Sequence, residues 1–226
     1  MPGRAFLVRE PTRTMRCCSP LPEPAAAVGF EVVRKIVAFT LMGIDGAVED
    51  PSLLFPPSDL PDEPFSFDEE SDAFEGATTA TQDAVFLGRN QWEEWQRFWP
   101  GASGPFANFI NGVDKYVLTS RPLDAEWAGS VAVQGSLPDV IAELRAKPGS
   151  DVGVHGSIQL VQSLIEADLL DELRIIATPV VGAPGRRLFE SLKAPQRYRL
   201  VSAAASSTGN LLLTYDRPRS SPPVES

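Results

Sequence analysis

The chain has 226 residues, 43% of them apolar, enough for one sizeable domain and too few for two comfortable ones. Its 20 basic against 30 acidic residues leave a formal charge of −10, a surface that repels phosphate backbones and argues against nucleic-acid binding. The two cysteines, Cys17 and Cys18, are adjacent and the one histidine is His155, so neither a disulfide framework nor a zinc site can be assembled from them. No apolar run reaches the roughly 18 to 20 residues of a membrane span, so no membrane association is expected.

Residues 1–31 are punctuated by arginines and prolines and lack the apolar centre of a secretory signal. They are expected to be a disordered extension of a cytoplasmic protein. From Val32 the texture changes: "VVRKIVAFTLMGIDGAV" is a near-continuous apolar run of strand length, stopped by Gly43 and Gly46, and reads as a strand buried on both faces. Residues 49–66 are rich in proline and acids and read as a long loop, either a functional lid or disordered. Ser66 or Asp68 can cap a helix through "FDEESDAFEGATTATQ", with Glu69 and Glu70 near its positive end.

Next come a buried strand "AVFLG", an aromatic helix "RNQWEEWQRFWP", and the strands "DKYVLTS" and "VAVQG". A helix "SLPDVIAELRAKPG" with Ser136 as a cap candidate leads to the strand "DVGVHG". The helix "SIQLVQSLIEADLL" has apolar residues at helical spacing and is followed by the strand "ELRIIATPVV". Two strands, "RYRLVSAAASS" and "NLLLTYD", joined by a Thr-Gly turn, close the domain near residue 217 as a hairpin, and residues 218–226 read as a disordered tail. Alternating strands and helices predict an α/β fold: a mostly parallel central sheet flanked by helices, with a C-terminal antiparallel hairpin.

In such sheets ligands sit beyond the carboxyl ends of the strands. Four strand ends carry small or donor residues: Gly43 to Gly46, Gly88-Arg89, Thr119-Ser120-Arg121 and His155-Gly156-Ser157. At the last of these a helix begins at once, and a helix N-terminus behind a glycine suits a phosphate or pyrophosphate. Arg89 and Arg121 can add charge-assisted bonds. Together these ends point to a dinucleotide site, although the spaced glycine fingerprint of Rossmann domains is absent. His155 reads either as a hydrogen-bonded group bracing the turn or as a catalytic group. The set Trp92, Trp95, Phe98 and Trp99 reads as a helix face packed on the sheet, or as a stacking wall for a planar substrate.

"DVGVHGSIQLVQSLIEADLLDELRIIATPVVGAPGRRLFE" closely resembles the C-terminal reductase domain of bifunctional riboflavin-biosynthesis enzymes, and above all small stand-alone proteins of the dihydrofolate reductase superfamily. Similar too are "KIVAFTLMGIDGAVEDP", "FDEE", "LGRNQWEEW" and "KYVLTSR", in the same order from about residue 34 to 217. The resemblance implies a dihydrofolate-reductase-like domain over residues 32–217 that binds NADPH and forms a homodimer. Carried over by position, Gly88, Arg89 and Asn90 would lie at the cofactor's phosphates. Thr119, Ser120 and Arg121 would meet the adenosine side and its 2′-phosphate. Gly156, Ser157 and Ile158 would hold the pyrophosphate, with His155 beside them and Gly46 in the opening turn.

This chain departs from the family pattern in places. The opening turn is Gly43-Ile44-Asp45-Gly46, without the family's serine, which leaves Asp45 as a turn former or as the catalytic candidate beside the nicotinamide. Asn90-Gln91-Trp92 stands where the family favours Arg-Thr-Tyr. The helix carboxylate of true folate reductases falls by spacing on Asp72, read here as a solvated helix residue, so folate is not the expected substrate. The function implied is hydride transfer from NADPH to a small substrate, pyrimidine- or pterin-like; the alternative is an NADP(H)-binding protein without turnover.

Overall fold

The computed structural model describes residues 34–59 and 65–218; the expectations for residues 1–31, for Cys17 and Cys18, and for nearly all of the tail lie outside them. Eight strands form one sheet: β1 (Ile36–Gly43), β2 (Gln82–Gly88), β3 (Asp114–Leu118), β4 (Ser130–Val133), β5 (Asp151–His155), β6 (Glu172–Thr178), β7 (Arg199–Ala205) and β8 (Leu211–Asp216). Their order is β4-β3-β2-β5-β1-β6-β8-β7. The first six run parallel, and the closing β7–β8 hairpin joins β6 through antiparallel β8. The helices are α1 (Glu69–Thr79), α2 (Arg89–Phe98), α3 (Pro105–Gly112), α4 (Leu137–Ala146) and α5 (Ile158–Glu166).

Local chemistry sets the boundaries. Asp68 caps α1, its carboxylate accepting from the Ser71 N–H at 2.8 Å, and Ser136 caps α4 in the same way. Four of the five helices stand where the sequence predicts them. The fifth, α3, is eight residues between Gly104 and Val113, with Ala107 and Ile110 buried, in a stretch for which no element is predicted. The 49–66 segment is not a free loop throughout: Pro51–Leu53 make a 3-10 turn, and Leu54 and Phe55 are buried in the core. The strand "ELRIIATPVV" lies inside the sheet, between β1 and β8; the edge on that side is β7, exposed at all seven residues.

Alternation along the parallel strands sends side chains to two faces that are filled differently. Ile36 and Ala38, Ala84 and Phe86, Val152 and Val154 point to one face, where α4 and α5 cover them in a single apolar cluster with Leu144 and Leu164. On the other face two separate clusters form. Phe39, Ile176 and Leu212 pack under Leu54 and Phe55, with Phe74 of α1. Val85, Leu87 and Val117 pack under Trp92, Ile110 and Trp127. Between these clusters runs β5, whose residues on that face are Gly153 and His155. A glycine and a polar ring cannot close the gap with apolar contacts.

Candidate functional site

The floor of the gap is built by a bulge. In the β2–β5 ladder Gln82 pairs with Asp151 while Ala84 pairs with Val152, so β2 carries one extra residue there. That insertion turns Gln82 to the same face as Gly153 and His155. Its Oε1 lies 2.7 Å from His155 Nε2. Gly153 makes this possible: a Cβ added there would stand 2.0 Å from Gln82 Oε1 and 2.7 Å from His155 Nε2. His155 is 2% exposed and ringed by Phe39, Phe106 and Phe109, with centroids 5.5–5.7 Å away. Burial, with Arg174 adding repulsion, pushes its pKa down to about 3, so the imidazole is neutral near pH 7. Its Nδ1 has no hydrogen-bond partner.

Beside this floor two helix N-termini converge. Gly88 is the N-cap of α2 and has no side chain to cap with; Ser157 is the N-cap of α5, and its hydroxyl accepts from the Gly88 N–H at 3.3 Å instead of capping its own helix. Two helices therefore present first-turn N–H groups without side-chain caps at neighbouring strand ends, which is the chemistry of a phosphate site. Gly156 lies at φ 66°, where an L side chain is disfavoured, and a Cβ there would also press on Trp95 at 3.0 Å. With its amide turned to satisfy both neighbours, Gln91 donates to the Gly156 carbonyl at 2.9 Å and accepts from the Trp95 indole. The Ile158 N–H donates to the Gly156 carbonyl, and its side chain lines the cavity described below.

The other expected residues divide. Arg89 is spent on structure: its guanidinium bonds Glu93, the Pro122 carbonyl and Asp124, and lies over Trp92. Any phosphate contact at this position falls to backbone N–H groups, with exposed Asn90 one residue on. Thr119 is buried and its hydroxyl accepts from the Arg121 N–H at 3.1 Å, shaping the turn in which Ser120 is exposed. Arg121 is 68% exposed and meets only the edge of Glu93, at 3.5 Å, within reach of the α2 N-terminus. Asp45 is held in its turn by the N–H groups of Gly182 (2.8 Å) and Ala47 (3.2 Å) and by Arg187 (3.2 Å). The Gly182 bond foremost holds its carboxyl below the usual range. It is not among the residues lining the cavity, and its geometry is that of a turn former. Gly46, at φ 87°, completes that turn. The missing serine has a steric counterpart: a Cβ at Gly43 would stand 2.9 Å from the Val180 carbonyl.

Between the two clusters, over His155-Gly156-Ser157, opens a cavity of about 830 Å³. The two readings of the aromatic helix apply to different residues. Trp92 alone packs wholly on the sheet, fully buried with its indole N–H on Ser130 Oγ at 2.9 Å. Trp95, Phe98 and Trp99 face the cavity, joined by Phe106 of α3. Asp72 also lines the cavity and does not simply face solvent; partial burial first, then nearby Asp68, raises its pKa. Phe106, Glu75, Thr79 and Glu94 are cavity residues that the sequence reading did not single out. A signal existed for one wall: Asp72, Glu75, Gly76 and Thr79 repeat at i, i+3, i+4 and i+7, one stripe of α1. Among the described residues no cluster of metal-ligating side chains occurs, and no helix is long and apolar enough to cross a membrane.

Fold and strand-end geometry together define a dihydrofolate-reductase-like α/β domain. Residues 34–212 match the RibD C-terminal domain family, and the chain belongs to it. Among solved structures it is similar to a Shewanella sp. PV-4 protein provisionally assigned to riboflavin biosynthesis (TM-score 0.63, 21% identity, 82% of this chain and 99% of that one). It is also similar to a pyrimidine reductase-like protein of Corynebacterium diphtheriae (TM-score 0.58, 12% identity, 83% and 93% covered). A third is dihydrofolate reductase of Enterococcus faecalis, solved with NADP(H) and RAB-propyl (TM-score 0.51, 18% identity, 82% and 97% covered). Among curated sequences, YwjB of Bacillus subtilis is 29% identical over 171 residues, 74% of this chain and 89% of that protein. YyaP of the same organism is 24% identical over 140 residues, 59% of this chain and 73% of that protein.

Proposed function

We propose that this protein is an NADPH-dependent reductase that passes hydride to a small, flat heterocyclic substrate held in the cavity. One observation carries the reading: the uncapped N-termini of α2 and α5, tied together by the Ser157–Gly88 bond, meet beside an aromatic cavity at the carboxyl ends of the strands. When bound, the dinucleotide supplies the hydride. The first turns of both helices would hold its pyrophosphate, and Arg121, leaving Glu93, would grip the 2′-phosphate. Trp95, Trp99 and Phe106 would exclude water and orient the substrate ring. His155, neutral near pH 7 and bonded to Gln82, keeps the floor in register and does not serve as a cationic acid. Asp72 is a cavity carboxyl whose pKa is raised, by partial burial first and then by Asp68.

Thermal unfolding with NADPH tests the site. At about a hundred times Kd the nucleotide should stabilise the fold by roughly 2.7 kcal/mol, and protein with a suitable acceptor should consume NADPH. A melting temperature unmoved by millimolar NADPH overturns the reading; stabilisation without consumption against a panel of C=N and C=O acceptors reduces it to a binding protein. The same reading includes a homodimer in the cytoplasm. The edge strand β7 is unpaired on one side, with Leu200 and Val201 exposed, and a second copy covering that edge would protect it. Light scattering at micromolar concentration should give twice the chain mass.

A further inference from the structure

We infer that Gln91 is a positioning residue: its amide pins the Trp95 indole to the Gly156 turn, so the turn that receives phosphate also sets one wall of the cavity. The inference rests on the reductase reading for the two ligands, and its own evidence is the packing of three residues.

Gln91 stands in the first turn of α2 and Trp95 one turn further on. A spacing of four residues puts both side chains on one stripe of the helix. There the Gln91 amide nitrogen donates to the Gly156 carbonyl at 2.9 Å, and the amide oxygen accepts from the Trp95 Nε1–H. One side chain thus joins the backbone turn to the indole. Contact is close throughout: a Cβ at Gly156 would stand 3.0 Å from the Trp95 ring and 3.3 Å from the Gln91 amide.

The carbonyl that Gln91 holds shares a peptide plane with the Ser157 N–H, at the start of α5. That plane is rigid, so its two ends cannot reorient separately. A phosphate drawing on the N–H side polarises the carbonyl opposite, and hydrogen bonds linked in this way strengthen one another. The Ile158 N–H holds the same carbonyl at 3.1 Å from the helix side. A pyrophosphate on this turn is therefore felt at Gln91, and through Gln91 at Trp95.

Trp95 is where such a pull changes the shape of the cavity. It meets Phe106 at 88° and Trp99 at 78°, each at 5.8 Å, and so forms the middle of an edge-to-face corner. Trp99 has no comparable tie, because its indole N–H lacks a hydrogen-bond partner. Of the two tryptophans among the described lining residues, Trp95 is the one bonded to the phosphate turn through Gln91.

The test titrates the full chain with quinoline, a flat heterocycle, by calorimetry with and without saturating ADP. ADP carries a pyrophosphate but no nicotinamide, so no cofactor ring can touch the probe. In the parent, ADP should tighten quinoline at least about fivefold. In Gln91→Met, and equally in Trp95→Phe, that factor should fall below about twofold, with the double variant no lower than either single one. Trp99→Phe should keep it. Indole N–H signals in the NMR spectrum of the free protein give a second readout. In Gln91→Met the Trp95 signal, assigned by its loss in Trp95→Phe, should move, while those of Trp92 and Trp127, bonded to Ser130 and Asn111, stay. Coupling that survives Gln91→Met, an unmoved Trp95 signal, or no binding of quinoline at millimolar concentration overturns the inference. A loss of ADP affinity of about tenfold in Gln91→Met with the coupling intact would make the amide a phosphate ligand instead. If neither ADP nor NADPH binds, the reductase reading fails and takes the coupling with it. If nucleotide and quinoline both bind without coupling, only this inference fails.

Discussion

The two faces of one sheet have been put to different uses. On the α4–α5 face, β5 contributes Val152 and Val154 to a continuous core. On the opposite face the same strand contributes Gly153 and His155, and the core breaks into two clusters with a cavity between them. A change of one residue in phase along a strand separates stability from function. The closed face can be optimised for burial alone, whereas the open face holds a buried, incompletely satisfied imidazole and half-exposed tryptophans. Such groups cost folding energy and find their use in a ligand.

The comparison can be broken from the closed side first. Leu144 of α4 is 1% exposed in that core, and Leu144→Ala should cost about 2–5 kcal/mol in urea unfolding. Nucleotide affinity of the folded variant should stay within about twofold, as for distant independent sites. A large loss of affinity would mean the faces are coupled. On the open side, Gly153→Ala places a methyl on Gln82 and His155. It should cost roughly 2–4 kcal/mol through overpacking and the loss of a buried hydrogen bond, and unlike Leu144→Ala it should also weaken ligand binding.

Arg121 sharpens the comparison without touching the fold, because it is largely exposed. Arg121→Ala should weaken NADPH roughly ten- to a hundred-fold and leave NADH nearly unchanged, the loss of one charge-assisted grip on the 2′-phosphate. Equal losses for both nucleotides would restrict Arg121 to shaping its loop. The smallest effect is a pH slope. His155 has a folded pKa of about 3 against roughly 6.5 in an unfolded chain. Because the folded value is depressed, the stability it confers is complete above about pH 6.5 and is lost as pH falls below it, at about 1.4 kcal/mol per pH unit. It is the chain's one histidine, so few other groups titrate between about pH 5 and 6.5. Urea midpoints should fall across that interval in the parent and stay flat in His155→Asn. A flat parent would mean that the imidazole is not held neutral in the floor.

Much of this was legible beforehand, and the reasons differ by element. The strands were readable because buried parallel strands are short apolar runs bounded by glycine, as in "AVFLG" and "DVGVHG". The strand-end residues Gly88, Arg121, Gly156 and Ser157 could be grouped because the rule for α/β sheets places ligands there. The gap was not legible, because it depends on a bulge that re-aims Gln82, and a bulge has no period in sequence. Helix α3, which supplies Phe106, was hidden by its brevity. Arg89 misled for the opposite reason: an arginine at a strand end looks available until Glu93 and Asp124 are seen beside it. Trp95 and Trp99 share a helical stripe with Trp92, and periodicity alone cannot tell a side chain touching the sheet from one overhanging a cavity.

The claim at the centre is that the open face, and not merely the protein, takes the dinucleotide. Amide hydrogen exchange with and without saturating NADPH locates it directly. Slowed exchange should appear at 88–91 and 156–160, the two first turns, and on the loop at 119–121, while α4 on the closed face changes only as much as global stabilisation requires. Unchanged exchange at both helix N-termini in nucleotide-saturated protein, or protection confined to the α4 face, would contradict the account.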